Sequence, residues 1–386
     1  MFDMRQITIL VAAIVAASVC LAEPVRLPKP GKIKRFEIFE QVAYEKLNDI
    51  REKLGLPRLA WNERLAKAAR AHSMFMATNR TIGHAELKSM ARFYGATPQD
   101  RFRKAGYKNV AIGESLAAVS FDGARFITEG LIDAPYHRMT LLDPKYTDVG
   151  IAVVCRGISQ GSWLAAECYA TFDFGGDAPD RFVVFPCNSV TVRTFFDCSE
   201  TPNPCANLGA GVERTGYIFT FHNPPEWFGI SGQGGRIITD ENDINRDQSD
   251  SRYIMFIPEK TLKPRSKYSI ATDDGTCEFT TYRATGFSHW FEPRKLEAKE
   301  GVDYTVKLRL FGKGIYGFAR KRIELKYTGE PCRFTAYITP SFESDDIYYL
   351  HFELQSKGGC SSIRLGLEVD MPVPQSRFIW YEIDAD

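Results

Sequence analysis

An α+β unit followed by two β-sandwiches is the fold this sequence predicts, and three features predict it. From Phe36 to Ala134 apolar residues recur at steps of three and four, the helical period. Beyond about residue 181 that period disappears, and short apolar runs alternate with Pro, Gly and Asn, which reads as strands and turns. An apolar leader precedes both, and all but one of the nine cysteines lie beyond residue 150, an even set suited to disulfides in an exported chain.

The leader comes first in the chain. One basic residue, Arg5, precedes the almost wholly apolar stretch Ile7 to Val19, and Cys20-Leu21-Ala22 is followed by Glu23-Pro24. This reads as a signal peptide over residues 1–22, cut after Ala22. A lipid anchor would need Cys20 as the first mature residue, but Val19 puts a branched side chain where a small one is expected. The run is shorter than the roughly 20 residues that cross a bilayer, and no later segment approaches that length without charges. A secreted location is therefore expected, extracellular or periplasmic or on the cell surface, with no transmembrane segment. Lys plus Arg (49) nearly balances Asp plus Glu (48) without a long basic block, which argues against nucleic acid as a partner.

In the first unit Phe36, Phe39, Ala43, Leu47, Ile50 and Leu54 mark one face of a helix that ends at Gly55 and Pro57. Asn62 caps a second helix with Leu65, Ala69, His72 and Met76 inward. Thr97-Pro98 with Asp100 opens a third, stopped by Gly106, and a fourth runs from Phe121 to Ala134 and closes at Pro135. Val149 to Val154 and Trp163 to Phe174 read as buried strands. Gly175 to Asp180 is expected to be a linker, residues 181–284 one sandwich, and residues 287–386 another after Ala284-Thr285-Gly286.

Spacing ranks the cysteine pairs. Cys155 and Cys168 fall opposite each other if Gly161-Ser162 turns the chain, and Cys198 with Cys205 closes a small loop. Cys332 and Cys360 lie on neighbouring strands, which leaves Cys187 and Cys277 to staple the middle unit. No CxxC pair suggests zinc held by cysteine.

A run of fragments from Phe39 to Gly175 carries a family resemblance: Leu47-Asn48-Asp49-Ile50-Arg51, Gly55 to Asn62, Leu65 to Ser73, Gly83-His84, Thr97 to Arg101, Gly113-Glu114-Ser115, Pro135-Tyr136-His137-Arg138 and Leu141 to Gly150. In order and spacing they resemble bacterial members of the cysteine-rich secretory, antigen 5 and pathogenesis-related (CAP) superfamily. The resemblance implies a CAP-type α-β-α sandwich over residues 36–176. The middle unit resembles an immunoglobulin-like module through Val184-Phe185-Pro186, Glu200 to Pro204 and Ile257 to Pro264.

The resemblance also implies a cleft lined by His84, Glu114 and His137, which can hold a divalent cation such as zinc with one position open. The competing reading is a satisfied hydrogen-bond network that shapes the cleft. This sequence departs from the family at Leu131, Ala134 and Ser115, where a tryptophan, a second glutamate and an asparagine are usual. His72 and Ser73 are neighbours on a helix, point about 100° apart and so do not form a catalytic pair. His72 reads as a core residue, and Asn48 and Arg51 as structural. Asp243, Asn245, Asp247 and Ser249 imitate a calcium loop, but Gln248 and Ile254 stand where glycine and glutamate are needed. Trp227 and Trp290 are expected to pack in the core or in turns, with sugar stacking as the alternative. The function these readings favour is a binding or interaction protein for an extracellular protein, lipid or glycan. The alternatives are a metal-dependent or serine-type hydrolase, for which no complete nucleophile and base can be read, and a carbohydrate-binding surface protein using residues 287–386.

Overall fold

The computed structural model describes residues 25–386 except 109–110, 161–162, 199, 202, 209–211, 232–234, 239–251, 259, 274, 283–287, 312–317, 330–331, 342–346, 357, 359, 370–376 and 386. The signal segment, the Gly161-Ser162 turn, the Asp243 to Ser249 loop and the 284–286 linker lie outside the described residues.

The first unit has three layers. Its sheet is built on the antiparallel pair β4 (Asp148–Gln160) and β5 (Trp163–Gly176), with β1 (Ile33–Arg35) and β2 (Ala60–Trp61) on β4 and β3 (Ala111–Ser120) on β5. Side chains alternate across a strand, so each face takes its own helices. Val149, Ile151 and Val153 share one core with Phe39, Ala43 and Leu47 of α1 (Glu37–Lys53), while Val154, Tyr169 and Leu116 pack on Phe75 and Met76 of α2 (Glu63–Asn79). Helix and sheet come so close at Gly150 that a Cβ there would stand 2.0 Å from the backbone nitrogen of Ala66.

The helix boundaries follow the signals in the sequence. Asn62 Oδ1 accepts from the N–H groups of Arg64 and Leu65 at 3.0 and 3.4 Å. Thr97 and Asp100 form a reciprocal capping box on α3 (Pro98–Ala105), and Gly106 closes it with a φ of 89°. Arg51 is buried and ties α1 to loops through Pro57, Leu141, Asp143 and Tyr146 carbonyls. Two expectations need correction. The fourth helix is a short 3-10 turn, Asp122–Phe126, leading into α4 (Ile127–Asp133), and Pro135 opens α5 (Pro135–Leu141) as well as ending α4. Proline lacks the N–H that a first turn leaves unpaired, so it suits a helix start. The segment around Glu114 is a ten-residue strand, β3, which small residues and a central charge had concealed.

After residue 176 the regular elements among the described residues are strands, apart from the 3-10 turn Ala206–Leu208. Gly235–Ile238, Tyr253–Pro258, Phe219–His222 and Val183–Phe185 form one four-stranded sheet. Phe228–Ile230, Lys267–Thr272, Gly275–Thr281 and Thr191–Val192 form another, and their core runs on into that of the first unit. In the last unit Ser288–Glu292, Asp303–Phe311, Ile347–Ser356 and Arg333–Pro340 extend the first sheet, meeting β5 at Ala336 and Trp163. A four-stranded sheet of Leu296–Ala298, Arg377–Ala385, Cys360–Val369 and Phe318–Gly329 completes that unit, with Val306, Leu308, Leu350, Leu365 and Ile383 in one core. The disulfides are Cys155–Cys168, Cys187–Cys277, Cys198–Cys205 and Cys332–Cys360, the pairs that spacing suggested.

Candidate functional site

The site begins where α2 ends. Arg80 takes a left-handed conformation there and turns the chain into the loop that carries His84. His72, fully buried on α2, pins that loop from below: Nε2 donates to the Gly83 carbonyl at 2.9 Å and Nδ1 meets Glu86 Oε1 at 2.9 Å. Glu86 Oε2 accepts from the N–H groups of Tyr94 and Gly95 at 2.6 and 3.2 Å. Burial opposes ionisation of Glu86, but the His72 bond and the two N–H bonds outweigh it and lower its pKa. With the backbone fixed on either side, the His84 side chain projects outward and is 56% exposed.

His84 rests on a buried charge pair. Its Nδ1 meets Glu114 Oε1 at 2.8 Å, and the other carboxylate oxygen receives Arg101 Nη2 at 2.6 Å. Arg101 of α3 is fully buried, also donates to the Gly95 carbonyl at 3.2 Å, and lies 3.8 Å from Glu86. Asp173 stands directly across from Glu114 in the β3/β5 register and is fully buried. Burial resists ionisation of Glu114, yet the bonds from His84 and Arg101 hold its pKa below the usual carboxylate range. Burial, reinforced by the Glu114 charge, pushes Asp173 well above it. The two neighbouring carboxyls are thus pushed in opposite directions, Glu114 toward its ionised form and Asp173 toward its protonated form, and both Asp173 oxygens are buried without a hydrogen-bond partner.

His137 approaches from the start of α5. Burial pushes its pKa down to about 4, and the nearby His84 adds to the effect, so the ring is neutral near pH 7. Its backbone N–H donates to Glu200 Oε1 at 3.0 Å, and that of Tyr136 to Glu200 Oε2 at 3.2 Å. Burial pushes Glu200 up to about 7 despite those bonds.

The arrangement brings His84 and Glu114 together and sets His137 within electrostatic range of His84. It gives Glu114 the job of orienting an imidazole. Both of its oxygens are engaged, and among the described residues no group of three or more His, Cys, Asp or Glu is arranged to hold a metal ion. With Glu114 bonded to Nδ1 of His84, the carboxylate stands as the orienter of that ring and Nε2 is the His84 atom left to meet an ion. Ser73 is buried and donates to Thr171 Oγ1 at 2.8 Å, and Ser115 is buried on the opposite face of β3 from Glu114. Among the described residues no serine, threonine or cysteine side chain is hydrogen-bonded to His84 or His137. Trp227 stands 54% exposed in the turn before Phe228–Ile230, and the Trp290 side chain lies outside the described residues. Sequence reading missed Glu86, Arg101, Asp173 and Glu200. Arg101, Asp173 and Glu200 stood inside fragments already singled out, but Arg101 meets Glu114 from a helix, Asp173 faces it only through the sheet register, and Glu200 reaches His137 from the middle unit.

The family model for the Cysteine-rich secretory protein family, CAP, matches residues 44–169, and the chain carries a CAP domain there. An uncharacterized membrane protein of Bacillus subtilis (strain 168), YlbC, is 33% identical over 106 residues, 28% of this chain and 29% of that protein. The chain thus spans less than a third of that curated relative. An extracellular protein containing a SCP domain from Bacillus anthracis str. Ames aligns at 25% identity over 36% of this chain and 41% of that one, with a TM-score of 0.30. An outer surface protein from Borrelia burgdorferi aligns at 19% identity over 38% of this chain and 99% of that one, with a TM-score of 0.30. Four disulfides point to a compartment outside the cytoplasm. Among the described residues no helix is long and apolar enough to cross a membrane.

Proposed function

We propose that this chain is a secreted binding protein whose CAP cleft, lined by His84, Glu114 and His137, receives an extracellular ligand at the exposed imidazole of His84. The observation that carries this reading is the bond set of Glu114. A carboxylate that receives Arg101 on one oxygen and meets His84 Nδ1 with the other orients a ring for recognition. No hydroxyl or thiol bonded to either cleft histidine supports nucleophilic catalysis among the described residues. The last β unit serves as a docking or spacing module. Two four-stranded sheets stapled by Cys187–Cys277 support the immunoglobulin-like reading of residues 181–284.

The reading is tested by incubating the full chain and its His84→Ala and His137→Ala variants with panels of esters, peptides and peptidoglycan. Equal, background turnover in all three is expected. Turnover by the wild type that disappears in folded His137→Ala would replace binding with hydrolysis.

A further inference from the structure

Helix α5, which carries His137, has an incomplete start. Its N-cap is Ala134, which offers no side-chain acceptor to the first-turn N–H groups. The acceptor comes from elsewhere: Glu200, sixty-three residues beyond His137, reaches across from the middle unit and takes the N–H groups of both Tyr136 and His137. Glu200 is itself buried, at 9% exposure, in the loop after Phe195–Phe196 that the Cys198–Cys205 disulfide closes.

The rest of α5 is held from the same side. Arg138 Nη2 donates to the Ile218 carbonyl at 2.8 Å, with the guanidinium over the rings of Phe185 and Tyr217. His222 Nε2 donates to the Met139 carbonyl at 2.7 Å. Just before and just after the helix, Tyr217 bonds Asp133 at 3.0 Å and Tyr253 bonds Asp143 at 2.5 Å. Tyr136 and Met139 share a small core with Phe196, Cys205, Ile218, Met255 and Ile257 of the middle unit. His84, by contrast, is positioned wholly from within the CAP domain.

We infer that Glu200 is a positioning residue for His137, so that the cleft is built jointly by the CAP domain and the β unit that follows it. The inference rests on reading His137 as a cleft residue. It makes the middle unit a structural part of the site rather than a spacer.

The experiment uses the full chain without any ligand and reads two quantities residue by residue. One is amide hydrogen exchange at Tyr136 and His137. The other is the rate at which diethyl pyrocarbonate modifies His137 relative to His84 and His222. In Glu200→Ala, exchange at both amides should rise about tenfold, as loss of a helix cap allows. Modification of His137 should accelerate severalfold while that of His84 stays unchanged. Glu200→Gln, which keeps one good acceptor, should recover much of the protection. Wild-type exchange and wild-type His137 reactivity in a folded Glu200→Ala chain would overturn the inference. If that variant does not fold, Glu200→Gln decides by the same readouts: a partial rise confined to Tyr136 and His137 supports the role, and no change at either overturns it. Neither readout needs a bound partner. A well-positioned His137 in a chain that binds nothing would defeat the binding proposal and leave this one intact.

Discussion

His84 and His351 are both anchored to one continuous sheet, yet the fold treats them oppositely. His84 stands outward on a buried ion pair, with Nδ1 held by Glu114 and the rest of the ring open to solvent. His351 is buried in the last unit between two hydroxyls, Thr305 Oγ1 at 3.3 Å from Nδ1 and Thr339 Oγ1 at 2.9 Å from Nε2, and stacks on Tyr337 at 4.4 Å. Both ring nitrogens of His351 are engaged, and no ionised partner is bonded to it. Burial pushes its pKa down to about 4. The difference teaches what each network is for. Charges are kept in the interior beneath His84 although hydroxyls would have satisfied a ring at lower desolvation cost, and the ring they orient faces outward. Around His351 everything is satisfied inward, which is packing.

The comparison is broken most severely at its charged end. Arg101→Met leaves Glu114 and Glu86 buried without their shared cation, and should cost about 3 to 5 kcal/mol, measured by urea unfolding of the full chain. A loss below about 1 kcal/mol would mean that the carboxylates do not depend on that charge.

Acid should strike the neutral, buried histidines next. His222 and His351 each lie near a pKa of about 4 in the folded chain, against about 6.5 when unfolded. Their folded values are depressed, so between those limits the unfolded chain binds more protons. Stability is therefore intact above about pH 6.5, falls as pH drops toward about 4, and should lose on the order of 3 kcal/mol per histidine. The substitution His351→Gln should flatten this part of the stability curve. An unchanged slope in that variant would show that the ring already titrates normally in its threonine pocket.

Two smaller effects sharpen the contrast. Thr339→Val removes one hydroxyl bond from a buried ring and should cost about 1 kcal/mol in urea unfolding. His84→Ala, at an exposed position, should change stability by no more than about 0.5 kcal/mol despite its ion-pair support. A larger loss for His84→Ala than for Thr339→Val would reverse the assignment of roles.

How much of this was legible in the sequence depends on the range of each interaction. Helix caps at Asn62 and Thr97, the buried face of α1 and the disulfide pairs are encoded over a few residues or by pairing spacing, and they could be read directly. Strand β3 was hidden because its alternation runs through Ala, Gly, Ser and Glu rather than large apolar residues. His84 and Glu114 could be named from family resemblance, but the partners that set their chemistry could not. Arg101 reaches Glu114 from a helix, Asp173 faces it only through strand register, and Glu200 reaches His137 from another unit altogether. No periodicity connects such residues, since their proximity is created by the fold. The loss of an acid at Ala134 was visible, whereas the distant acceptor at Glu200 was not.

The central claim is that the exposed imidazole beneath which the charges are buried is the one that meets a ligand. It is tested most directly by a histidine-resolved NMR spectrum of the full chain, titrated separately with zinc, with anionic phospholipid vesicles and with cell-wall oligosaccharides. The account predicts that at least one of these shifts the His84 resonance saturably while His222 and His351 stay in place. A His84 resonance that none of the three moves, or one that moves only together with His351, would contradict it.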